Sequence, residues 1–139
     1  MGKRLVGDLS IYIDTHIVIW LAEGFVEKLT PAASHAIESS QVEISPMVLI
    51  ELQYLFEIKR IIKPPMALFE QLQSLIGLRT SDHPFPAVAQ TALFETWTRD
   101  PFDRIIVAQA RSDGYSELVT SDTKIHENYS KTIWNVKSS

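Results

Sequence analysis

The stretch LSIYIDTHIVIW, residues 9–20, decides the fold because it joins a strand to a helix through a single aspartate, Asp14. Its first half, LSIYID, is an apolar, β-branched run, which is typical of a strand buried on both faces. The following residues, THIVIWLAEG, predict a short helix that ends near Gly24. A strand that passes directly into a helix is the first half of a βαβ unit, and such units build parallel sheets.

The same alternation continues along the chain. Apolar runs predict further strands at residues 41–45, 78–80, 117–120 and 131–136. Helices are expected at residues 31–39, 46–59, 65–77, 84–97 and 101–114. Thr30, Ser45 and Asp100 each precede a proline, which combines an N-cap residue with the proline favoured at the first helical position. The sequence therefore predicts an α/β fold with a mainly parallel sheet.

Length and composition restrict the class of protein. The 139 residues, 45% of them hydrophobic, fit one globular domain, residues 1–139, in which residues 1–10 form an N-terminal extension. The absence of cysteine excludes disulfides, thiolate metal sites and cysteine nucleophiles. No apolar run approaches the roughly 20 residues that span a bilayer, and the N-terminus makes a poor signal peptide, so we expect a soluble cytoplasmic protein with no membrane partner. The net charge of −4 argues against a broadly basic nucleic-acid-binding surface but leaves local phosphate contacts open.

Two carboxylates fall on the core-facing sides of predicted helices, where an ionised group needs a partner or a cation. Glu51 lies amid the apolar residues of the helix from Pro46, and Asp103 shares a face with the apolar residues of the helix from Pro101. Each has a simpler alternative: Glu51 could reach the edge of the core, and the helix dipole alone favours an acid in the first turn, where Asp103 stands.

Two more carboxylates follow predicted strands. Asp14 ends IYID and Asp122 ends LVTSD, and ligands of open α/β sheets bind outside the carboxyl ends of the strands. Either aspartate could instead cap the next helix, and Asp100 is open to the same two interpretations, as a helix cap or as part of a metal site. If the first and fourth strands are neighbours, the carboxylates share one pocket, and a divalent cation would relieve their repulsion. All-oxygen ligands favour Mg²⁺ or Mn²⁺.

Other motifs narrow the chemistry. There is no GxGxxG, Walker A loop, HExxH or GxSxG elbow in the sequence. His16 follows Asp14 closely and is a minor candidate for a peripheral substrate contact. The three tryptophans are interpreted as core or interface anchors rather than as platforms for base stacking: Trp20, Trp97 and Trp134.

These motifs together resemble a known family. IDTHIVIWL around Asp14, ISPMVLIEL around Glu51, RDPFDRIIVAQA at residues 99–110, LVTSD ending at Asp122, and the tail KTIWN are similar to PIN-domain ribonucleases. Within them, the chain resembles the VapC-like toxins of toxin–antitoxin pairs. The likeness runs from about Ile11 to Asn135, and RDPFDRIIVAQA is its most specific part.

The resemblance implies a three-layer α/β/α fold with strand order 3-2-1-4-5 and an acidic pocket of Asp14, Glu51, Asp103 and Asp122. In this pocket Thr15 and Ser121 would orient the ligands. It further implies an RNA substrate, a cognate antitoxin and a homodimer. Close relatives usually carry a histidine where this chain has Thr98, which puts the identity of the target in doubt.

The sequence thus predicts a metal-dependent endoribonuclease. In this interpretation Asp14, Asp103 and Asp122 hold one ion, while Glu51 binds a second ion or orients the attacking water. Arg104 and Arg111, and the basic residues Lys59, Arg60 and Lys63, are candidates for contacts with the RNA backbone, with solvated surface charge as the alternative. The rival interpretation is a non-catalytic module of the same fold that binds RNA or a protein partner.

Overall fold

The computed structural model describes residues 10–135, and its centre is a five-stranded sheet. The strands are Ser10–Ile13 (β1), Gln41–Ile44 (β2), Arg79–Thr80 (β3), Leu118–Val119 (β4) and Thr132–Ile133 (β5). They follow the order β3-β2-β1-β4-β5, and every neighbouring pair is parallel. This confirms the predicted sheet and its strand order. The predicted N-terminal extension lies outside the described residues, except that Ser10 already belongs to β1.

Within residues 10–135, seven α-helices connect and cover the strands to give the three-layer α/β/α architecture. A short 3-10 turn at Val26–Lys28 follows the first of them. The helices are Thr15–Glu23 (α1), Pro31–Ser39 (α2), Pro46–Glu57 (α3), Pro65–Ile76 (α4), Phe85–Ala92 (α5), Pro101–Ser112 (α6) and Thr123–Asn128 (α7).

Side-chain caps begin the helices where the sequence predicted them. The Thr30 hydroxyl accepts a hydrogen bond from Ala33 N (3.1 Å) and the Ser45 hydroxyl accepts one from Met47 N (3.1 Å). At the other end of α1, Gly24 has a φ of 79° and its N–H bonds to the last turn, a conformation that glycine adopts without steric cost. The local signals of capping and termination therefore set most helix boundaries.

Two parts of the chain differ from the predicted elements. Helix α5 ends at Ala92 rather than at Trp97, because residues 93–95 turn back and Arg104 donates hydrogen bonds to the carbonyl oxygens of Ala92 (3.1 Å) and Thr98 (2.9 Å). Helix α7 was not predicted as an element, since only six residues separate its cap, Asp122, from its end. In both places a tertiary contact or a single cap decides the boundary, and periodicity carries little information.

The main hydrophobic core lies against the sheet. The apolar side chains of β1 are all nearly inaccessible, and they pack with residues of α1, α3, α4 and α6. On α3, Val48 and Leu52 are fully buried, whereas Ile58, which follows the last residue of the helix, is 45% exposed. Among the described residues, no helix is both long enough and apolar enough to cross a membrane.

We expect truncation of Leu52 to destabilise the fold far more than truncation of Ile50, two residues away on the same helix. Leu52 is 0% exposed and Ile50 is 58% exposed. Leu52→Ala should lower the free energy of unfolding by about 2–5 kcal/mol, because it leaves a cavity, and Ile50→Ala should change it by roughly 0.5 kcal/mol or less. Urea denaturation measures both, and equal losses would contradict this packing of α3.

Candidate functional site

The carboxyl ends of β1 and β4 lie side by side. Ile13 is in register with Val119, and the backbone N–H of Asp14 donates to Val119 O at 3.2 Å. The chain leaves both strands at the same edge, so Asp14, directly after β1, and Asp122, three residues after β4, emerge near each other. The neighbouring strands that the sequence argument required are present.

Helices α3 and α6 bring two further carboxylates to this edge. Glu51 lies in the second turn of α3 and Asp103 in the first turn of α6. A cleft of about 270 Å³ results. The structure places all four predicted carboxylates on its wall, together with Thr15, Asp100 and Ser121, and its full lining is Asp14, Thr15, His16, Trp20, Glu51, Asp100, Asp103, Ile106, Ser121 and Asp122.

Three of these aspartates also cap helices. One carboxylate oxygen of Asp14 accepts from Ile17 N (3.2 Å), and one of Asp100 accepts from Phe102 N (2.9 Å). One oxygen of Asp122 accepts from both Lys124 N (2.8 Å) and Ile125 N (3.0 Å). In each case the cap uses Oδ1 and leaves Oδ2 out of the capping bond. Capping and a place on the cleft wall are therefore compatible, although the sequence presented them as alternatives.

Two threonine hydroxyls fix the orientation of the carboxylates. The Thr15 hydroxyl donates to Glu51 Oε1 at 2.5 Å and ties the start of α1 to α3. The fully buried Thr120 accepts from Asp122 N at 3.1 Å, and its hydroxyl also bonds to the side chain of Asp14. The sequence analysis missed Thr120 and named its neighbour Ser121, although a threonine directly after a buried strand was a usable signal.

Asp103 has the most unfavourable electrostatic environment of the set. Burial raises its pKa most, and the charges of Asp100, Asp122, Glu51 and Asp14 raise it further, to about 7. Within residues 10–135, no group donates a hydrogen bond to its side chain and no cation pairs with it. The helix dipole at the start of α6 favours an anion here, but it does not offset four like charges.

The other carboxylates show the same excess of negative charge. Burial raises the pKa of Asp14 to about 6, while hydrogen bonds from Thr120 and Ile17 N and the charge of His16 lower it. Burial also raises the pKa of Glu51, against the hydrogen bond from Thr15. The carboxylates are held in place by neutral donors, and those donors leave the net charge of the cleft uncompensated.

The donor set fits a hard divalent cation. All candidate ligands are carboxylate or hydroxyl oxygens, the class that Mg²⁺ and Mn²⁺ prefer. In the described part of the chain, no three acidic or histidine side chains already surround one point as a closed ligand cage. Mg²⁺ does not need such a cage, because it usually keeps several waters, through which carboxylates that lie farther apart can also hold it.

The two arginines expected to contact the RNA backbone do not line the acidic cleft, and their guanidinium groups bond to other parts of the protein. Arg104 donates to the backbone carbonyls after α5, as described above. Arg111 pairs with the buried carboxylate of Glu95 (Nε to Oε2, 2.7 Å) and also bonds Tyr115 and the Asn128 carbonyl. The physical reason is that buried carbonyl and carboxylate groups need donors, and these guanidinium groups supply them. Lys59, Arg60 and Lys63 are exposed and do not line the cleft.

A larger hollow of about 540 Å³ lies between α5, α6 and α7. Its charged lining residues, Glu95 and Arg111, satisfy each other, and the Trp97 indole donates to Glu95 Oε1 at 2.8 Å. The smaller acidic cleft, with its uncompensated charge, is therefore the better candidate for a functional site.

Comparisons with known proteins show what this chain is similar to. The family model described as PIN domain matches residues 11–131. VapBC2 from Rickettsia felis, solved in complex with a DNA fragment from its promoter, is similar at a TM-score of 0.62 and 16% identity, with 91% of this chain and 98% of that chain covered. FitAcB from Neisseria gonorrhoeae gives a TM-score of 0.48 and 19% identity, with 90% and 96% covered. No curated protein matches the chain significantly.

The charge of Asp103 should make the metal-free protein less stable as the pH rises. Its folded-state pKa of about 7 lies above the ordinary pKa of 3.8 for an aspartate, so between these values the folded protein binds more protons than the unfolded chain and loses stability as the pH increases. With solvent screening taken into account, Asp103→Asn should reduce this pH-dependent fall in the free energy of unfolding by about 1–2 kcal/mol. Urea denaturation in EDTA at about pH 5 and about pH 8 measures it.

Asp82→Asn is the matched control, since Asp82 is an exposed aspartate that does not line the cleft. It should leave the pH dependence of the wild type unchanged. The electrostatic assignment is wrong if the two variants behave alike.

Proposed function

The chain belongs to the PIN-domain family, and we propose that it is a metal-dependent endoribonuclease, the toxin component of a toxin–antitoxin pair. The observation that carries this proposal is Asp103, a half-buried carboxylate that faces four other acids and has no compensating cation among the described residues. Such an arrangement costs stability, and it becomes favourable when a divalent cation and the phosphate of a substrate complete the site.

The residues of the cleft would have different roles in the reaction. The oxygens of Asp14 and Asp122 that are free of capping bonds, with the carboxylate of Asp103, would hold Mg²⁺ or Mn²⁺. When bound, the ion lowers the pKa of water and stabilises negative charge on the phosphoryl and leaving oxygens. Glu51 would orient the attacking water or help to hold a second ion, and Thr15 fixes its direction. Asp100, on the same wall, adds a further carboxylate.

The toxin assignment rests on the sequence resemblance to VapC-like toxins. The solved structure of VapBC2 from Rickettsia felis, bound to DNA from its promoter, has a similar fold, and that likeness in fold agrees with the proposal. We propose a cognate antitoxin that covers the cleft, a homodimer, and a cytoplasmic location. Co-purification with the product of a neighbouring gene tests for the antitoxin, and light scattering tests for the homodimer.

The competing proposal is a non-catalytic PIN module that binds RNA or a protein. A module of this kind gains nothing from uncompensated acids, which weighs against it. The two proposals differ in one measurement, the Mg²⁺-dependent cleavage of RNA by the purified protein.

Asp103→Asn should abolish Mg²⁺-dependent RNA cleavage while the protein stays folded, because the change removes a repulsive charge and an anionic ligand together. Asp82→Asn, away from the cleft, should cleave as the wild type does. Cleavage of labelled RNA and thermal denaturation of each variant measure the two properties. Wild-type rates from Asp103→Asn would overturn the proposed site.

Thr15→Val should lower the apparent Mg²⁺ affinity or the cleavage rate about 10- to 100-fold, the usual cost of losing a group that orients a ligand. Thr15→Ser keeps the hydroxyl that bonds Glu51 and should restore most of the activity. Rates measured over a range of Mg²⁺ concentrations separate the two effects. If valine and serine are equivalent, the hydroxyl does not position Glu51 for the reaction.

A further inference from the structure

One wall of the acidic cleft is aromatic. His16 and Trp20 are the ring-bearing residues of its lining, and they lie one turn apart on α1 with ring centroids 6.2 Å from each other. His16 is exposed and Trp20 is half-buried. Both rings therefore border the cleft directly beside Asp14 and Thr15, at the start of the same helix.

The aromatic wall continues away from the acids. The ring of Trp134, which follows β5, lies 6.1 Å from that of Trp20. The ammonium group of Lys28 lies 5.4 Å from the Trp20 ring centroid and 5.0 Å from that of Phe25. Rings with a cation beside them thus extend from the mouth of the cleft across the neighbouring surface.

The charges of the cleft explain why this wall matters. Neither lysine nor arginine occurs among the residues that line it, so within the described chain the lining offers no fixed cation to an RNA strand. Five carboxylates repel the phosphates wherever no bound cation stands between them. Inside the cleft, groups that bind bases can hold the strand where cationic side chains are lacking, and aromatic rings bind every base through its π-face.

The indole of Trp20 is also free to serve this purpose. The Trp97 indole N–H donates to Glu95, as expected of a tryptophan that anchors local structure. For Trp20, no protein acceptor for the indole N–H is found among residues 10–135, although part of the ring packs against the core. A half-buried ring that packs against the core and also lines the cleft is suited to stacking.

We propose that Trp20 stacks on a base next to the scissile phosphate of single-stranded RNA, with His16 beside it and Lys28 contacting a neighbouring phosphate. That the bound strand is RNA follows from the proposed ribonuclease function, on which this inference rests. It assigns to Trp20 a role in holding the substrate that the sequence pattern did not favour. Because stacking tolerates any base, the subsite contributes affinity for single strands rather than recognition of a sequence.

The first test compares Trp20→Leu, Trp20→Phe and Trp97→Leu on a short labelled single-stranded RNA in Mg²⁺. Trp20→Leu should raise KM about ten-fold with kcat nearly unchanged, which corresponds to the loss of one stacked base. Trp20→Phe keeps a ring and should stay close to the wild type. Trp97→Leu controls for the loss of a partly buried indole away from the cleft and should leave KM unchanged.

The second test measures stacking on Trp20 by fluorescence, in a variant that should not cleave RNA. The chain has three tryptophans, so Trp97→Phe and Trp134→Phe, added to the Asp103→Asn variant, leave Trp20 as the single indole fluorophore. The RNA oligonucleotide should quench its fluorescence, whereas a strand of the same length made of abasic sites should not. Thermal denaturation of each variant verifies that it is folded.

The outcomes separate the two proposals. If the wild type cleaves RNA while Trp20→Leu keeps its KM, or if abasic and normal strands quench equally, the stacking subsite is wrong and the nuclease assignment stands. If the wild type cleaves no RNA, the nuclease assignment fails, and base-dependent quenching alone decides for or against the subsite.

Discussion

The burial of several carboxylates close to one another is the main constraint at the carboxyl edge of the sheet. Asp14 and Asp103 are placed where burial and neighbouring charges both penalise ionisation, and the pKa of each is raised well above that of a free carboxyl group. The core beneath them, with β1 and β4 in parallel register, is what keeps these groups together despite this cost. The stability of the rest of the fold thus supports a local arrangement that is unfavourable without a cation.

Backbone N–H groups hold the carboxylates in place without neutralising them. Helices α1, α6 and α7 each begin with an aspartate whose Oδ1 accepts from the first turn. The N-terminus of each helix offers partial positive charge and N–H groups in fixed positions. The capping bond to Oδ1 restrains each side chain and does not use Oδ2. Thr15 and Thr120 add hydroxyl donors to the same arrangement. A preorganised oxygen-rich pocket is the result, and it needs no rearrangement of the backbone.

Much of this could be predicted from the sequence, because the signals are local. Strand–helix alternation, proline after a capping residue, and acids at strand ends gave the parallel sheet and the set of carboxylates that meet in the cleft. The contacts that the sequence could not show are those between partners distant in sequence. Arg111 bonds with Glu95, sixteen residues away, and Arg104 bonds with Ala92, twelve residues away. The end of α5 depends on the same Arg104 contact. Nor could a sequence show that Trp20 faces the cleft while Trp97 does not, since that depends on how α1 sits against the acids.

The capping role of the aspartates has a consequence for how this protein can change over generations. Asparagine caps a helix about as well as aspartate does, and a single nucleotide substitution converts one codon into the other. Asp14, Asp100 and Asp122 can therefore each lose their charge while the helix behind them keeps its start. A lineage could therefore reduce the negative charge of the cleft in one genetic step and still produce a well-folded chain.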